Sequence, residues 1–479
     1  MSNKYNILLI LPPMSRTVDK DYVSTQMPVN LAYIASSLEK AGANVKIIDF
    51  TVESFSEQKL ISLLQQFNPA IVGFTSMTSS IYMVTDLAKI VKTYNKDILT
   101  LLGGVHISAM PQQTLEENPY IDVGVIGEGE ETAIEIYNLK KTGKSIEGIK
   151  GTAYREEKKI IVTPRRELIK DLNSIPFPAR HLLDLEKYQK SHVSRGFSRK
   201  HLRIMEIITS RGCPNSCIFC AGHINYGCSL RFRSYKNITD EVDYLIDKYN
   251  INHISIEDDT FTINKTLLKN LCDYFRRKKL TWNCNARVNT IDLEILKLMK
   301  QSGCKKISFG VESGSPRILK LIKKNISLDQ VRNAFKSAKK EGIRYIEGTF
   351  MLGSHPDEKL EDIEMTKKLI FELMPDFISL SLICPFPGTE VYNIMKKNNL
   401  LDKDLDWSKF TFINNKPPFM KLNHLTAEQL IKIQKNTLKK YYSSPKYILG
   451  QVTKIRTLGE LLYFINLGFS FVFDFLFKK

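Results

Sequence analysis

An α/β protein with two parallel sheets is expected from this chain: first a doubly wound Rossmann-like sheet, then a partial (β/α)6 barrel of TIM type, then a helical C-terminal tail. Three observations carry that expectation. Short apolar runs alternate with helix-length segments from the start of the chain, the signature of a parallel sheet wound by right-handed crossovers. A second series of six such runs begins near Arg203, and the strand signals stop after Pro385–Thr389. With 479 residues the chain is too long for one core, and its 43% hydrophobic content is ample for two or three.

The first strands are expected at Ile7–Leu11, which Pro12 and Pro13 end, and at Val45–Ile48, Ala70–Phe74 and Leu99–Leu102. Helices are expected between them, at Leu31–Lys40 and Ile81–Tyr94 among others, so residues 1–145 read as one domain. Ligands of such sheets bind at the carboxyl ends of the strands. Here those ends carry Pro12-Pro13, Thr75-Ser76, Gly103-Gly104 and Gly127-Glu128-Gly129-Glu130. Neither the spaced glycines of a nicotinamide site nor a P-loop is present, so a nucleotide phosphate is not the expected guest; turn-forming alone would also account for the glycines.

Residues 146–200 read as a linker with some structure. Gly151–Tyr154 and Lys159–Val162 can pair as a hairpin, and Pro176 and Pro178 keep the following stretch extended. The second strand series is expected at Arg203–Thr209, Ile254–Ile256, Thr281–Val288, Lys306–Gly310, Tyr345–Leu352 and Phe377–Ile383, giving a barrel domain over 201–392. Residues 393–479 read as helices, Thr426–Tyr442 among them. Leu461–Phe477 is almost wholly apolar, and seventeen helical residues rise roughly 25 Å, short of a membrane core. With ten Lys or Arg against three acids over 421–479, the tail reads as an interfacial helix that makes peripheral membrane contact; packing on the barrel is the plainer alternative.

The 69 Lys and Arg against 51 Asp and Glu give a formal charge of +18, which favours anionic surroundings. No Arg-rich block or nucleic-acid module accompanies it, so nucleic acid is not an expected partner. Eight cysteines are too few for a disulfide scaffold, and three of them crowd into eight residues, which reads as a metal site in a reducing compartment. No secretory signal opens the chain, so the cytoplasm is the expected location, with peripheral membrane contact through the tail.

Cys213-Pro-Asn-Ser-Cys217-Ile-Phe-Cys220 puts three thiolates on one loop after the first barrel strand. A four-iron cube held by three thiolates leaves one iron open for a ligand, whereas a zinc site usually needs two closely spaced pairs and the only nearby fourth thiol is Cys228. Following Thr209-Ser210-Arg211-Gly212, this CxxxCxxC spacing resembles the radical S-adenosylmethionine (SAM) superfamily. The resemblance implies a 4Fe–4S cluster on Cys213, Cys217 and Cys220. It also implies reductive cleavage of SAM to a deoxyadenosyl radical. Phe219, Glu257, Asp258, Arg287, Glu312 and Ser313 are the residues it implies for SAM, and an external electron donor is required. The later segment Ser354–Glu358 departs from the family pattern, with Asp357 at its glycine and Lys359 at its threonine; no direct role is assigned there, and His355 reads as a surface turn residue.

The resemblance extends to the N-terminal domain, whose order of motifs, ending in Gly127-Glu128-Gly129-Glu130, is similar to the cobalamin-binding subgroup, and it spans roughly residues 5–440 in all. This implies cobalamin near Thr75, Ser76, Gly103, Gly104, Gly127 and Glu128. The Asp-x-His-x-x-Gly segment that supplies an axial imidazole in many cobalamin proteins is absent. The implied activity is C–H activation with methylation of an unactivated carbon, on a small-molecule substrate for which a lipid or isoprenoid is the natural guess. A cyclase or skeletal rearrangement enzyme without methyl transfer is the first alternative, and a non-catalytic metal protein at the membrane the second.

Overall fold

The computed structural model describes residues 5–13, 26–191, 202–411, 421–455 and 461. The chain divides into two compact units. One comprises Met1–His192, Ile208–Glu241 and Ile383–Asn423, the other Val193–Ile207, Val242–Leu382 and His424–Lys479.

The first unit is built on a seven-stranded sheet. Its strands are β1 (Asn6–Leu11), β2 (Asn44–Asp49), β3 (Ile71–Thr75), β4 (Leu99–Gly103), β5 (Val123–Val125), β6 (Thr152–Glu156) and β7 (Lys159–Val162), in the order β2-β1-β3-β4-β5-β6-β7. The first five are parallel. Alternate residues of β1 explain the double winding. Ile7 and Leu9 enter one apolar cluster with Leu31, Ala35 and Leu38 of the helix Val29–Lys40. Leu8 and Ile10 enter another with Leu60 and Leu64 of the helix Glu57–Phe67 and Val84 and Leu87 of the helix Ile81–Tyr94. A strand buried on both faces has to be apolar, as β1 is from Ile7 to Leu11. The expected hairpin forms as β6–β7, and β6 pairs antiparallel with β5, so residues 152–162 extend the sheet.

The second unit holds a six-stranded all-parallel sheet, order β15-β14-β13-β12-β11-β8. Its first strand is β8 (Ile204–Ile207). Two short strands of the first unit follow in the chain, β9 (Ser210–Arg211) and β10 (Arg231–Phe232). The barrel sheet resumes with β11 (His253–Ile256), β12 (Thr281–Ala286), β13 (Cys304–Glu312), β14 (Tyr345–Leu352) and β15 (Phe377–Leu382). Trp282 packs against Phe275 of the helix Lys265–Arg277, with ring centroids 5.7 Å apart, on the helix side of the sheet. The fold is therefore α/β as expected, with six barrel strands in the expected places.

Among the described residues no helix is long and apolar enough to cross a membrane. The helix expected at Thr426–Tyr442 runs over Ala427–Tyr442. Its Thr426 hydroxyl accepts the Gln429 amide and the Gln429 side chain reaches back, a capping box. The apolar run Leu461–Phe477 lies outside the described residues, Leu461 excepted.

Candidate active site

In the first unit, the sheet reverses its strand order between β1 and β3, and a ligand crevice is expected there at the carboxyl ends. Hydrogen bonds join the neighbouring ends: Ser76 N donates to Gly103 O at 3.0 Å, Ser108 Oγ to Gly104 O at 2.8 Å, and Gly127 N to Ser108 Oγ at 3.0 Å. Gly104 has φ +105°, and a Cβ there would stand 2.5 Å from Ser76 O, so only glycine lets β3 and β4 close so tightly. Added side-chain carbons at Gly103 and Gly127 would meet nothing nearer than 3.9 and 3.8 Å, which leaves open backbone for a large flat group. Exposed Met77 offers it an apolar neighbour. Thr75, Gly103, Gly104 and Gly127 are half-exposed at this edge. Ser76 is buried, and its hydroxyl donates to Met77 O.

The cysteine loop belongs to the same unit. Cys213 and Cys220 are half-exposed, and Cys217 is buried. Asn215 Nδ2 lies 3.4 Å from Cys213 Sγ, Gly222 N 3.4 Å from Cys220 Sγ, and Cys220 N donates to Cys217 O at 3.1 Å. Gly212, at φ +87°, sits where a Cβ would be 2.3 Å from Ser229 O, which fixes the chain reversal immediately before Cys213. Among the described residues no three His, Cys, Asp or Glu side chains form a single-ion site. An iron–sulfur cube, by contrast, takes one thiolate at each of three corners, and the loop's three thiols are the donor set that it requires. Arg165 ties this region to the sheet, donating to Ile224 O and to Ser108 O, both at 2.7 Å. Beside the loop, His223 Nε2 and Asn225 Oδ1 are buried without a hydrogen-bond partner among the described residues, as polar atoms lining a ligand site would be.

Glu128 has partners other than the implied cobalamin. Arg211 donates to its Oε1 at 2.9 Å, Arg231 to its Oε2 at 2.8 Å, and Ile169 N to Oε2 at 2.9 Å. Arg211 also reaches Glu130 at 2.6 Å and lies between the Tyr33 and Tyr226 rings, 5.2 and 5.3 Å from their centroids. Burial alone would lower the Arg211 pKa, but Glu130 and the other surrounding groups raise it above the ordinary arginine value. Glu241 joins Arg180 and Arg233 in a second buried cluster. Burial opposes its charge, and the two guanidiniums outweigh that and hold the carboxyl below the usual range. These pairs link residues 208–241 to the rest of the first unit: Arg211 and Arg231 find Glu128 and Glu130 there, Glu241 finds Arg180, and a buried charge must be paired.

In the second unit, the inner face of the sheet is polar. His253 lies 2.7 Å from both Thr281 Oγ1 and Asn283 Oδ1; Asn283 donates to Ser255 Oγ at 2.9 Å, and Ser255 to Glu257 Oε1 at 2.5 Å. Asp258 is buried and Glu257 half-buried. A register shift after Gly310 puts Glu312 at φ +71°, the kind of bulge that re-aims a side chain at a strand end. There its carboxylate receives Lys324 Nζ at 2.7 Å, and Arg287 donates to the Lys324 carbonyl. Lys324 was not legible as a site residue from sequence. Ser313 is fully buried, its hydroxyl 3.2 Å from Thr366 Oγ1 and accepting Ser315 N at 3.1 Å, so the turn itself engages it.

The turn after β14 corrects one expectation. His355 is buried rather than at the surface, and its Nδ1 accepts the Asp357 amide at 3.1 Å. Glu358 is fully buried; Oε2 accepts Ser354 N at 2.6 Å, and Oε1 has no partner among the described residues. Burial pushes its carboxyl up to about 7. Because that exceeds the value of an unfolded carboxyl, Glu358 favours folding below the unfolded pKa, and the contribution disappears as pH rises through about 7. Glu358→Gln is expected to flatten this fall. In urea titrations from roughly pH 4.5 to 8, the natural protein should lose stability relative to the variant as pH rises, and parallel curves would contradict the account.

Residues 17–136 match the B12 binding domain family and residues 207–370 the radical SAM superfamily. An uncharacterized methyltransferase of Pyrococcus horikoshii is 36% identical over 451 residues, covering 93% of this chain and 94% of that protein. The anaerobic magnesium-protoporphyrin IX monomethyl ester cyclase of Cereibacter sphaeroides is 27% identical over 465 residues, covering 92% and 73%. Among solved structures, the cobalamin-dependent SAM radical enzyme OxsB, with aqua-cobalamin and SAM bound, superposes with a TM-score of 0.75 at 16% identity, over 98% of this chain and 71% of that one. At that identity the likeness speaks for the fold.

Proposed function

The chain belongs to the radical SAM superfamily, among the enzymes that carry a B12-binding domain, and from that premise we propose that it methylates an unactivated carbon of a small-molecule substrate. The enzyme is methyltransferase-like, and its cofactors are a 4Fe–4S cluster, SAM and cobalamin. When bound, these supply one electron for cleavage of the sulfonium bond, a deoxyadenosyl radical and a transferable methyl group. The observation that carries the reading is the presence, in one compact unit, of the three-cysteine loop and the open strand ends at the sheet's switch point.

In this reading Cys213, Cys217 and Cys220 hold the cluster, with Asn215 and the Gly222 amide supporting the thiolates. The backbone at Thr75, Gly103, Gly104 and Gly127 cradles cobalamin, while Glu128 acts through Arg211 and Arg231 to hold the chain entering the cysteine loop. Glu257, Asp258, Arg287 and Glu312 orient SAM, Phe219 flanks it, and Ser313 shapes the turn after Glu312. Lys324 keeps the Glu312 carboxylate in place. Lys324→Met leaves that buried carboxylate unpaired, so the KM for SAM is expected to rise roughly tenfold or more. The readout is deoxyadenosine release against SAM concentration, and an unchanged KM would remove Lys324 and Glu312 from the SAM site.

A lipid or isoprenoid is the proposed substrate class, on the apolar sequence of Leu461–Phe477. The cytoplasm, where thiols stay reduced and an external electron donor is at hand, suits the cluster. A cyclase reading without methyl transfer draws on the 27% identical cyclase. Anaerobic reconstitution with iron, sulfide and hydroxocobalamin, followed by turnover of methyl-labelled SAM, separates the two. Label in an organic product supports methylation, whereas deoxyadenosine with all label left in methionine supports the cyclase-type reading.

A further inference from the structure

At the amino-terminal ends of β14 and β15, the end of the second unit's sheet opposite the carboxyl ends where such barrels place their chemistry, lies a cavity of about 440 Å³. Lys300, Lys339, Arg344, Lys446 and Lys454 line it, against a single carboxylate, Asp376. That carboxylate is already engaged: Ile346 N donates to Oδ2 at 2.8 Å, Gln451 Nε2 to Oδ1 at 3.1 Å, and Lys454 pairs with it. The cavity therefore carries a large positive excess. Burial and the neighbouring Lys454 and Lys446 push the Lys339 ammonium pKa down, with Asp376 opposing, as expected where like charges crowd.

The wall of this cavity is the helix Pro445–Val452 with the turn after it. Lys446, Tyr447, Gly450, Gln451 and Lys454 turn toward the cavity, and Gln451 Oε1, on a side chain only 7% exposed, has no partner among the described residues. The other side presents Ile448, Leu449 and Val452, which are 49%, 66% and 57% exposed. Three large apolar side chains on one helical stripe, beside a concentration of lysines, have no use in binding a soluble anion. They match a surface that is anionic at its headgroups and apolar just beneath.

We propose that this end of the second unit docks on an anionic lipid surface, a phosphate headgroup entering among Lys300, Lys339, Arg344, Lys446 and Lys454 while Ile448, Leu449 and Val452 enter the acyl boundary. The proposal rests on residues 300–454 alone and is independent of the reaction and of the apolar run beyond.

The test is co-sedimentation of the full-length chain with phosphatidylglycerol-containing vesicles and with pure phosphatidylcholine vesicles. Binding is expected to the first and not the second. Lys446→Glu and Lys300→Glu, both at exposed positions, are each expected to weaken it roughly tenfold, and Ile448→Ser with Leu449→Ser to weaken it at least as much. All variants should keep their deoxyadenosine release, which shows that the fold is intact. Equal binding to neutral vesicles, no vesicle binding, or undiminished binding by the variants overturns the proposal, the last assigning attachment to another part of the chain. Inorganic phosphate that binds the natural chain and not Lys446→Glu, without vesicle binding, would make the cavity a site for a soluble anion and equally overturn it.

Discussion

Replacing Cys217 with alanine is expected to abolish both cluster assembly and SAM cleavage. Cys217 is the buried middle thiol of the loop, and its backbone carbonyl receives the Cys220 amide, so it sits where the loop turns back on itself. With two thiolates remaining, a cube would have two irons without a protein ligand instead of one, and would lose the geometry that reserves a single iron for SAM. The substitution removes a single sulfur from a small side chain, so the fold should survive and circular dichroism should not change. Reconstituted iron and sulfide content should fall to background, and deoxyadenosine should disappear. Cys228→Ala is the control: its thiol is exposed, it is not among the three clustered cysteines, and its cluster content should match the natural protein. Full cleavage activity in Cys217→Ala would sink every radical reading of this chain.

The second large effect is expected at Arg211. Its guanidinium joins Glu128 and Glu130 with all three side chains less than a tenth exposed, so Arg211→Met leaves Glu130 charged, buried and unpaired. Glu128 still has Arg231 and the Ile169 amide. Breaking such a pair from one side costs about 3–5 kcal/mol, whereas removing both partners can be nearly neutral. Arg211→Met should therefore lower stability by that amount, and adding Glu130→Gln should recover much of it. Because Arg211 is two residues before Cys213, cluster content should fall with the single variant and return with the double. Equal stability of the two variants would show that the ion pair is not what holds this segment.

Much of the architecture was legible in advance. The helix Ile81–Tyr94 begins and ends where its apolar spacing placed it, and β14 spans the expected Tyr345–Leu352. Both are set by local patterns: period 3.6 for a helix, and a continuous apolar run for a strand covered on both sides. The three thiols and the small strand ends at Thr75 and Gly103 are equally local, since their meaning lies in residue type and spacing. Lys324, Glu358 and the roles of Glu128 and Ser313 were not legible in this way. Each depends on which side chain arrives opposite. Arg211 follows Glu128 by 83 residues and Arg231 follows it by 103, with no periodicity to link them.

Residue type and short-range spacing thus determine that this chain forms two sheets of mainly parallel strands and offers three thiolates to a cluster. Tertiary structure alone decides that residues 208–241 join the first unit, that a bulge turns Glu312 toward Lys324, and that five cationic side chains gather around Asp376. The physical reason is that burying a charge is unfavourable until a partner of opposite sign arrives, and that partner is brought by the path of the chain, which no local pattern records.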